Sequence, residues 1–209
     1  MPQTKDDPLL EFVFTGGRMC LDFVATLGRR GTLNVERLPD AESLNRWLTE
    51  SGIVRSGLDP QATVVELSRA HDLRESVYRL LQAGLKSHPY SPEDVRFVNE
   101  VAAEPDLAPQ LAAGPEPGTG LLVSAEWAKG PYAVRAALST IARDTIQLIT
   151  SSLIGRVKEC EAETCSLLFL DDSQARRRRW CSMERCGNLA KITKYRASRS
   201  RQSKPRDSH

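Results

Sequence analysis

Four cysteines near the C-terminus constrain the fold of this chain more than any other feature. They form two pairs, Cys160 with Cys165 and Cys181 with Cys186, and 15 residues separate the pairs. Thiolates at this spacing are typical of a tetrahedral Zn²⁺ site, because each pair binds from one tight turn and the loop brings the pairs together. We therefore predict a Zn²⁺ ion with these four cysteines as ligands.

The composition is that of a folded protein of the cytoplasm. Apolar residues make up 40% of the 209 residues, which allows a packed core. Five cysteines, an odd number, do not resemble a secreted disulfide framework, and Cys20 lies in an apolar segment where we expect a buried thiol. The first residues form no apolar leader, and the most apolar long stretch, 133–154, carries three charged side chains. We expect no membrane span.

Charge is distributed unevenly along the chain. Residues 174–209 contain twelve lysines and arginines against two acidic residues, a net charge of +10, whereas residues 1–173 have a net charge of −8. A basic end on an acidic body concentrates attraction for nucleic acid at one place. The basic end also contains the second cysteine pair, so we expect the metal-containing part to contact a polyanion.

Apolar residues at helical spacing predict five helices before the cysteines. We expect a first helix through Cys20 closed by Gly28, a second from Asp40 to near Gly52, a third from Asp59-Pro60 to Leu85, a fourth from Ser91 to Ala102, and a fifth from Gly130-Pro131 towards Ile154. A short strand is expected at 12–14, and segments 107–113 and 121–127 flank a Pro- and Gly-rich stretch that predicts a β-hairpin.

Two segments resemble known families. The cysteine pattern, with Leu167-Leu168-Phe169-Leu170-Asp171 after the first pair and Cys186-Gly187-Asn188 at its end, resembles the CGNR zinc finger. Gly16-Gly17, Leu21-Asp22-Phe23-Val24 and Leu44-x2-Trp47-Leu48 resemble the ABATE domain, which usually precedes this finger. Two residues depart from the family patterns: Leu189 stands where the finger signature has Arg, and Ala25 where the N-terminal pattern commonly has Asn. All four presumed ligands remain.

The resemblance implies a treble-clef-like finger, in which a hairpin is followed by a helix. The residues agree: 167–170 is strand-like, 171–173 has turn chemistry, 177–180 could return as the second strand, and 189–197 could be helical. We predict an α+β fold, with a mainly helical N-terminal domain that contains a small β-hairpin (1–155), a treble-clef-like zinc finger (156–198) and a basic disordered tail (199–209).

The resemblance also implies a bacterial transcription regulator that binds DNA and is linked to stress. The residues expected to contact nucleic acid are the basic ones of the finger: Arg176, Arg177, Arg178, Arg179, Lys191, Lys194 and Arg196. DNA is favoured over RNA, and such a protein would be associated with the nucleoid. The alternative is a structural zinc module that binds a partner protein or RNA.

No catalytic role is expected. Four thiolates close the coordination shell of a metal, and the chain contains no nucleotide-phosphate loop and no hydrolase or zinc-protease motif.

Beside Gly16-Gly17, the polar residues Arg18, Asp22 and Thr26 are candidates for a ligand pocket, with helix capping and turn formation as the competing interpretation. A small-molecule effector and a homodimer remain open.

Overall fold

The structure, a computed structural model, describes residues 8–54, 59–113, 122–126, 130–188 and 191–192, and every structural statement below concerns these residues. Five α-helices and three two-stranded antiparallel sheets lie in this part of the chain. In chain order they are α1 (Met19–Val24), β1 (Leu27–Gly28), β2 (Val35–Glu36), α2 (Ala41–Glu50), α3 (Val64–Lys86), α4 (Pro92–Ala102), β3 (Pro109–Ala113), β4 (Leu122–Glu126), α5 (Pro131–Thr150), β5 (Val157–Glu159) and β6 (Leu168–Leu170). Short 3₁₀ segments span Pro8–Leu10 and Ser152–Arg156, and Met183–Gly187 is a π-helical turn. The predicted α+β class, mainly helical with a small C-terminal finger, is confirmed.

One hydrophobic core unites the helices. The long helices α3 and α5 pack against each other and against α4 and α1, and they bury leucines such as Leu81 and Leu138 completely. Trp47 of α2 is also fully buried, with its ring centroid 5.3 Å from that of Phe23 in α1. Burial of such large apolar side chains is the main favourable contribution to folding.

Side-chain caps define where the helices begin. The predicted cap of α2 is confirmed, since the carboxylate of Asp40 accepts a hydrogen bond from the backbone N–H of Ser43 at 2.8 Å. The predicted cap of α4 at Ser91 is also confirmed. The predicted start of α3 at Asp59-Pro60 is wrong: the helix begins after Thr63, because Glu66 accepts from the N–H of Thr63 and completes a capping box there.

The first helix is shorter than predicted. It ends at Val24, and Leu27–Gly28 forms strand β1, which pairs with Val35–Glu36 in β2. A tight turn, with the N–H of Thr26 donating to the carbonyl oxygen of Phe23 at 3.1 Å, separates helix from strand. The apolar residues before Gly28 were predicted to be helical from their spacing, but this spacing reflects only that most of them are buried.

The strand predicted at 12–14 is wrong as well. No described strand pairs with this segment. Neighbouring backbone carbonyls bind arginine side chains instead: the carbonyl oxygen of Glu11 accepts from Nε of Arg37 at 2.8 Å, and that of Thr15 accepts from Nη2 of Arg178 at 3.3 Å.

The hairpin predicted from 107–113 and 121–127 is confirmed. Strand β3 pairs antiparallel with β4 in a register that joins Pro109 to Glu126 and Ala113 to Leu122. The fifth helix is confirmed too, and begins at Pro131 after Gly130.

The finger hairpin uses a different partner strand from the predicted one. Strand β6 pairs with β5, which precedes the first cysteine, and residues 177–180 form no strand. Arg176 has a φ of 50°, a left-handed conformation that interrupts an extended strand. Val157 of β5 and Leu168 of β6 belong to the main core, so the finger is anchored in the helical region. Most of the helix predicted at 189–197 and the tail at 199–209 lie outside the described residues.

Within the described part of the chain, none of the helices combines the length and the apolar character that crossing a membrane requires.

Candidate metal centre

The first cysteine pair lies in the loop that joins β5 to β6. The backbone N–H of Cys160 donates to the carbonyl oxygen of Leu167 at 2.9 Å, which continues the hairpin beyond its strands. Inside the loop, the N–H of Cys165 donates to the carbonyl oxygen of Ala162 at 2.8 Å. This turn brings the two thiols together at the end of the hairpin.

The second pair lies at the π-helical turn. Cys181 precedes Ser182, whose hydroxyl oxygen accepts hydrogen bonds from the backbone N–H groups of Glu184 and Arg185 at 3.2 and 3.4 Å. The carbonyl oxygen of Ser182 accepts from the N–H of Cys186 at 3.1 Å. A single capped turn therefore sets the positions of both thiols.

Gly187 allows this turn to pack closely. A Cβ atom at this position would lie 2.7 Å from Sδ of Met183 and 3.6 Å from Cε3 of Trp180. A side chain here would have to displace Met183. The side chain of Met183 therefore occupies the space that a larger residue at this position would need.

The four sulfur atoms converge on one point. All lie within 4.8 Å of one another, with Sγ–Sγ distances of 3.8 Å between Cys165 and Cys181 and 3.6 Å between Cys181 and Cys186. A tetrahedral ion with Zn–S bonds of about 2.3 Å needs sulfur atoms about 3.8 Å apart. The donor set and its dimensions therefore fit a tetrahedral metal ion.

The surroundings of the cluster are apolar on one side. Cys160 and Cys181 are buried and Cys165 and Cys186 are half-buried, and Phe169 packs against the cluster with no exposed surface. The backbone N–H of Cys181 donates to Sγ of Cys160 at 3.4 Å. Such N–H···S contacts stabilise thiolates, the form in which cysteine binds metal ions.

Without an ion, the four sulfurs cannot all ionise. Hydrogen bonds from Cys165 and Cys181 lower the pKa of Cys160 well below its ordinary value, and the same contact with Cys160 raises the pKa of Cys165. Hydrogen bonding to Cys160 likewise raises the pKa of Cys181. The cluster by itself favours one thiolate, and a divalent cation supplies the charge that four thiolates require.

A buried carboxylate organises the backbone behind the cluster. Asp171 has no exposed surface and accepts hydrogen bonds from Nζ of Lys158 at 2.5 Å, from the hydroxyl of Ser173 at 2.5 Å and from the backbone N–H of Arg178 at 3.0 Å. The hydrogen bond from Lys158 is the main reason why the pKa of Asp171 lies below its ordinary value. From the sequence, Asp171 was predicted only as a turn residue. Its hydrogen bonds with Lys158 and Arg178 join segments that are separated in sequence, so a local pattern did not predict them.

Two family models match the two parts of the chain. Residues 17–152 match ABATE, described as "Putative stress-induced transcription regulator", and residues 156–199 match the CGNR zinc finger. The chain belongs to the ABATE family. The resemblance predicted from the sequence is thereby confirmed for both the ABATE region (17–152) and the CGNR finger (156–199). No curated protein sequence matches the chain.

The arginine run of the CGNR finger divides into inward and outward members. Arg178 donates through Nε to the carbonyl oxygen of Trp180 at 3.0 Å and through Nη2 to that of Cys181, and its guanidinium lies 4.6 Å from the ring centroid of Phe169. Arg179 pairs with Glu161 at 2.5 Å and lies over the ring of Trp180. Both guanidinium groups are therefore engaged by contacts inside the protein.

Arg176 and Arg177 point outwards. Both are exposed, and neither guanidinium forms a hydrogen bond or an ion pair with a described residue. Lys191 is exposed too, whereas Lys194 and Arg196 lie outside the described residues, as does Leu189. Among the residues predicted to contact nucleic acid, Arg176, Arg177 and Lys191 are therefore the ones whose charges have no partner in the described part of the chain.

Sequence reasoning missed three further arginines beside the cysteines. Arg29 and Arg37, from the β1–β2 hairpin of the ABATE region, and Arg185 of the finger line a cleft of about 160 Å³ that Cys165 and Cys186 also line. Spacing along the sequence gives no sign of this arrangement, because about 150 residues separate the hairpin from Arg185. Ala25, the departure from the ABATE pattern, is buried close by, and its carbonyl oxygen accepts from Nη1 of Arg37 at 3.0 Å.

The candidate ligand residues of the ABATE region are only partly brought together. Arg18 and Asp22 line a cleft of about 270 Å³, together with Trp47 of α2. Thr26 is buried elsewhere, with its hydroxyl donating to the carbonyl oxygen of Phe23 at 2.7 Å. Trp47 was not predicted as a lining residue, because its position in α2 is distant in sequence from Arg18 and Asp22.

The two polar residues of this cleft also have partners inside the protein. Asp22 accepts from the backbone N–H of Gly16 at 2.8 Å, and Arg18 pairs with Asp144 of α5 at 2.5 Å. Burial raises the pKa of Asp22 to about 6. Nε of Arg18 and Nε1 of Trp47 are buried with no hydrogen-bond partner. Asp22 thus has the predicted turn-forming role, whereas Arg18 provides no side-chain cap for α1 and forms an ion pair instead.

Proposed function

We propose that this chain is a DNA-binding transcription regulator whose CGNR finger requires Zn²⁺. The convergence of four cysteine sulfurs at tetrahedral spacing is the observation that supports the metal. Cys160, Cys165, Cys181 and Cys186 would hold the ion as thiolates, and its role is structural because four thiolates leave no open coordination position.

The charge distribution supports DNA as the partner. The net charge of +10 over residues 174–209 adjoins an ABATE region and N-terminal segment that are acidic overall. Arg176, Arg177 and Lys191 of the finger are exposed cations with no ion-pair partner among the described residues, and cations of this kind bind phosphates with release of the counterions of the DNA. The description of the ABATE family as a transcription regulator agrees with this assignment.

In this proposal the ABATE region senses a ligand or forms a dimer, and the chain acts in the cytoplasm at the nucleoid. The cleft lined by Arg18, Asp22 and Trp47 is the candidate effector site, because it is a concave surface that combines polar side chains with an aromatic one. The proposal assigns no catalytic reaction to the chain.

A binding titration over a range of salt concentrations tests this function. The zinc-loaded chain is titrated against a pool of genomic duplex fragments by fluorescence anisotropy. Five to eight phosphate contacts predict a log–log slope of the binding constant against salt of about −4.5 to −7. Removal of the metal by a chelator is expected to weaken binding, and zinc is expected to restore it. Absence of binding, or binding without salt dependence, contradicts the proposal.

A structural zinc module that binds a protein or RNA is the second candidate. It is favoured by the use of Arg178 and Arg179 within the finger and by the anchoring of the finger hairpin in the main core. Under this alternative, the finger binds RNA or a partner protein, and the zinc-loaded chain does not bind duplex DNA with the salt dependence given above. Titration of the same chain with single-stranded RNA and with duplex DNA distinguishes the two candidates.

A further inference from the structure

The cleft lined by Arg29, Arg37 and Arg185 concentrates positive charge next to the cysteine thiols that also line it. None of the three guanidinium groups forms an ion pair with a described residue. Several other arginines of the ABATE region are paired with carboxylates, such as Arg74 with Glu36 at 2.7 Å. Like charges that share a cleft repel one another, so an anion bound there would be stabilised.

Arg37 is built into the wall of this cleft. It is 5% exposed, and Nε and Nη1 donate to backbone carbonyl oxygens of Glu11 and Ala25 at 2.8 and 3.0 Å. Nη2 has no acceptor among the described residues. Gly28 makes the close approach possible, because a Cβ atom there would overlap the guanidinium. Burial, and next the charge of Arg185, lower the pKa of Arg37 to about 10.

The loop between β1 and β2 fixes the position of Arg29. Arg29 has a φ of 51°, and its carbonyl oxygen accepts from the N–H groups of Thr32 and Asn34, each at 3.1 Å. The N–H of the next residue, Arg30, donates to the hydroxyl of Ser166 in the finger at 2.8 Å. This hydrogen bond ties the hairpin of the ABATE region to the finger and holds Arg29 beside the cysteines.

The metal cluster alone does not account for all of this charge. A Zn²⁺ ion with four thiolates carries a net charge of −2, whereas the cleft carries three guanidinium groups, and Arg185 is exposed to solvent. The surplus positive charge therefore faces outwards, on the same finger as the exposed Arg176 and Arg177.

We infer that this cleft binds one phosphate group of the DNA backbone, with Arg29 and Arg185 on either side of it and Arg37 at its base. The ABATE region is then part of the DNA-binding surface. The size suits the ligand, since a cleft of about 160 Å³ admits a phosphate but not a base pair. Because the inference concerns the partner of the finger, it rests on the proposed function.

The salt dependence of binding tests the inference with variants that leave the buried Arg37 intact. Affinity for a duplex of random sequence is measured at several salt concentrations for the zinc-loaded wild type, Arg29→Ala, Arg185→Ala and the double variant. Arg96→Ala is the matched control, because Arg96 is exposed on α4 and has no described partner. Zinc content and thermal melting are measured for each variant to show that the finger remains folded.

Each single variant is expected to lower the affinity about tenfold and to reduce the magnitude of the slope by about 0.9, the value of one phosphate. The double variant is expected to lose no more slope than a single variant, because both arginines contact the same phosphate. The Arg96 variant is expected to match the wild type. If the wild type binds DNA and the cleft variants have the same salt slope as the wild type, the inference is overturned and the proposed function is not.

Three other outcomes also overturn it. If the double variant loses about twice the slope of a single variant, the arginines contact separate phosphates. Arg29→Ala or Arg185→Ala could lose zinc, while the molecules that keep zinc bind DNA like the wild type. In that case the arginines stabilise the cysteine thiolates and do not contact a phosphate. If the wild type does not bind DNA at any salt concentration, the proposed function fails and the inference fails with it.

Discussion

Nζ of Lys158 lies 2.5 Å from a carboxylate oxygen of Asp171, and this pair connects the two halves of the finger. Lys158 is in β5, before the first cysteine, and its ammonium group also donates to the carbonyl oxygens of Arg176 at 2.8 Å and Arg178 at 3.3 Å. The segment that leads to the second cysteine pair is thus attached to the hairpin that carries the first. The metal ligands are positioned by a charge pair located outside the metal site.

Asp171→Asn is expected to weaken metal binding. The amide cannot balance the charge of Lys158 and can accept fewer hydrogen bonds, so the second cysteine pair is held less firmly. Residues that orient metal ligands typically change affinity by 10–100-fold, and we expect at least a tenfold loss in competition with a chromophoric chelator. Asp172→Asn is the matched control, because the side chain of Asp172 is 80% exposed. Equal affinities for both variants would contradict this role.

The same carboxylate predicts a direction of pH dependence. Because hydrogen bonding keeps the pKa of Asp171 below its ordinary value, the stabilisation is fully present above the unfolded-state pKa of about 3.9 and is lost as the pH falls through the folded-state value. Asp171→Asn is therefore expected to be less stable than the wild type at neutral pH and to approach it in acid.

Removal of the metal is expected to unfold part of the chain. The turn that contains Cys186 and Gly187 lies outside the main core, so we expect the ion to hold it, whereas Leu168 of the finger hairpin lies in the main core. After treatment with a chelator, hydrogen exchange should become fast at the amides of the π-helical turn and remain slow in α3 and α5. Re-addition of zinc should restore protection. Simultaneous loss of protection in α3 would show that the whole chain depends on the metal.

Arg177 and Arg178 are expected to respond to substitution in opposite ways. Arg178→Ala removes hydrogen bonds to backbone carbonyls and the contact with Phe169, which should cost about 2 kcal/mol of unfolding free energy in urea titrations. Arg177→Ala removes an exposed cation and should leave the unfolding free energy unchanged while it weakens binding to duplex DNA. If Arg177→Ala destabilises the chain as strongly as Arg178→Ala, this division of the run is wrong.

Burial of Asp22 predicts a stabilising substitution. The pKa of Asp22 is raised to about 6, so ionisation lowers the unfolding free energy progressively as the pH rises from about 4 to about 6. Asp22→Asn keeps an acceptor for the N–H of Gly16 and removes this cost, on the order of 1–3 kcal/mol at pH 8. The gain should be smaller at pH 5, with zinc saturating at both values. The exposed Asp59→Asn serves as control, and an equal gain at both pH values would show that ionisation is not the cause.

Local signals in the sequence predicted what local interactions determine. The caps at Asp40 and Ser91 use atoms within one turn of the helix, and the predicted starts of α2 and α4 were confirmed. The cap of α3 lies four residues after the predicted cap at Asp59, because Glu66 completes a capping box with Thr63. The two cysteines of each pair are also close in sequence, and the cluster of four sulfur atoms was predicted from this spacing.

Interactions between distant segments could not be predicted in the same way. Strand β6 pairs with β5 and not with the segment 177–180. This pairing is favoured because residues of both β5 and β6 are buried in the main core. The cleft requires the β1–β2 hairpin to lie against the finger through the hydrogen bond from Arg30 to Ser166. No pattern within a short window of sequence encodes that contact.

Zinc K-edge X-ray absorption of the purified chain, combined with elemental analysis, tests the central claim most directly. The four-sulfur cluster predicts one zinc ion per chain with four sulfur ligands at about 2.3 Å. A Cys165→Ser variant should lose this signature, whereas Cys20→Ala should keep it, since Cys20 lies in the helical core. Absence of bound zinc, or a first shell that contains nitrogen or oxygen ligands in the wild type, would contradict the account.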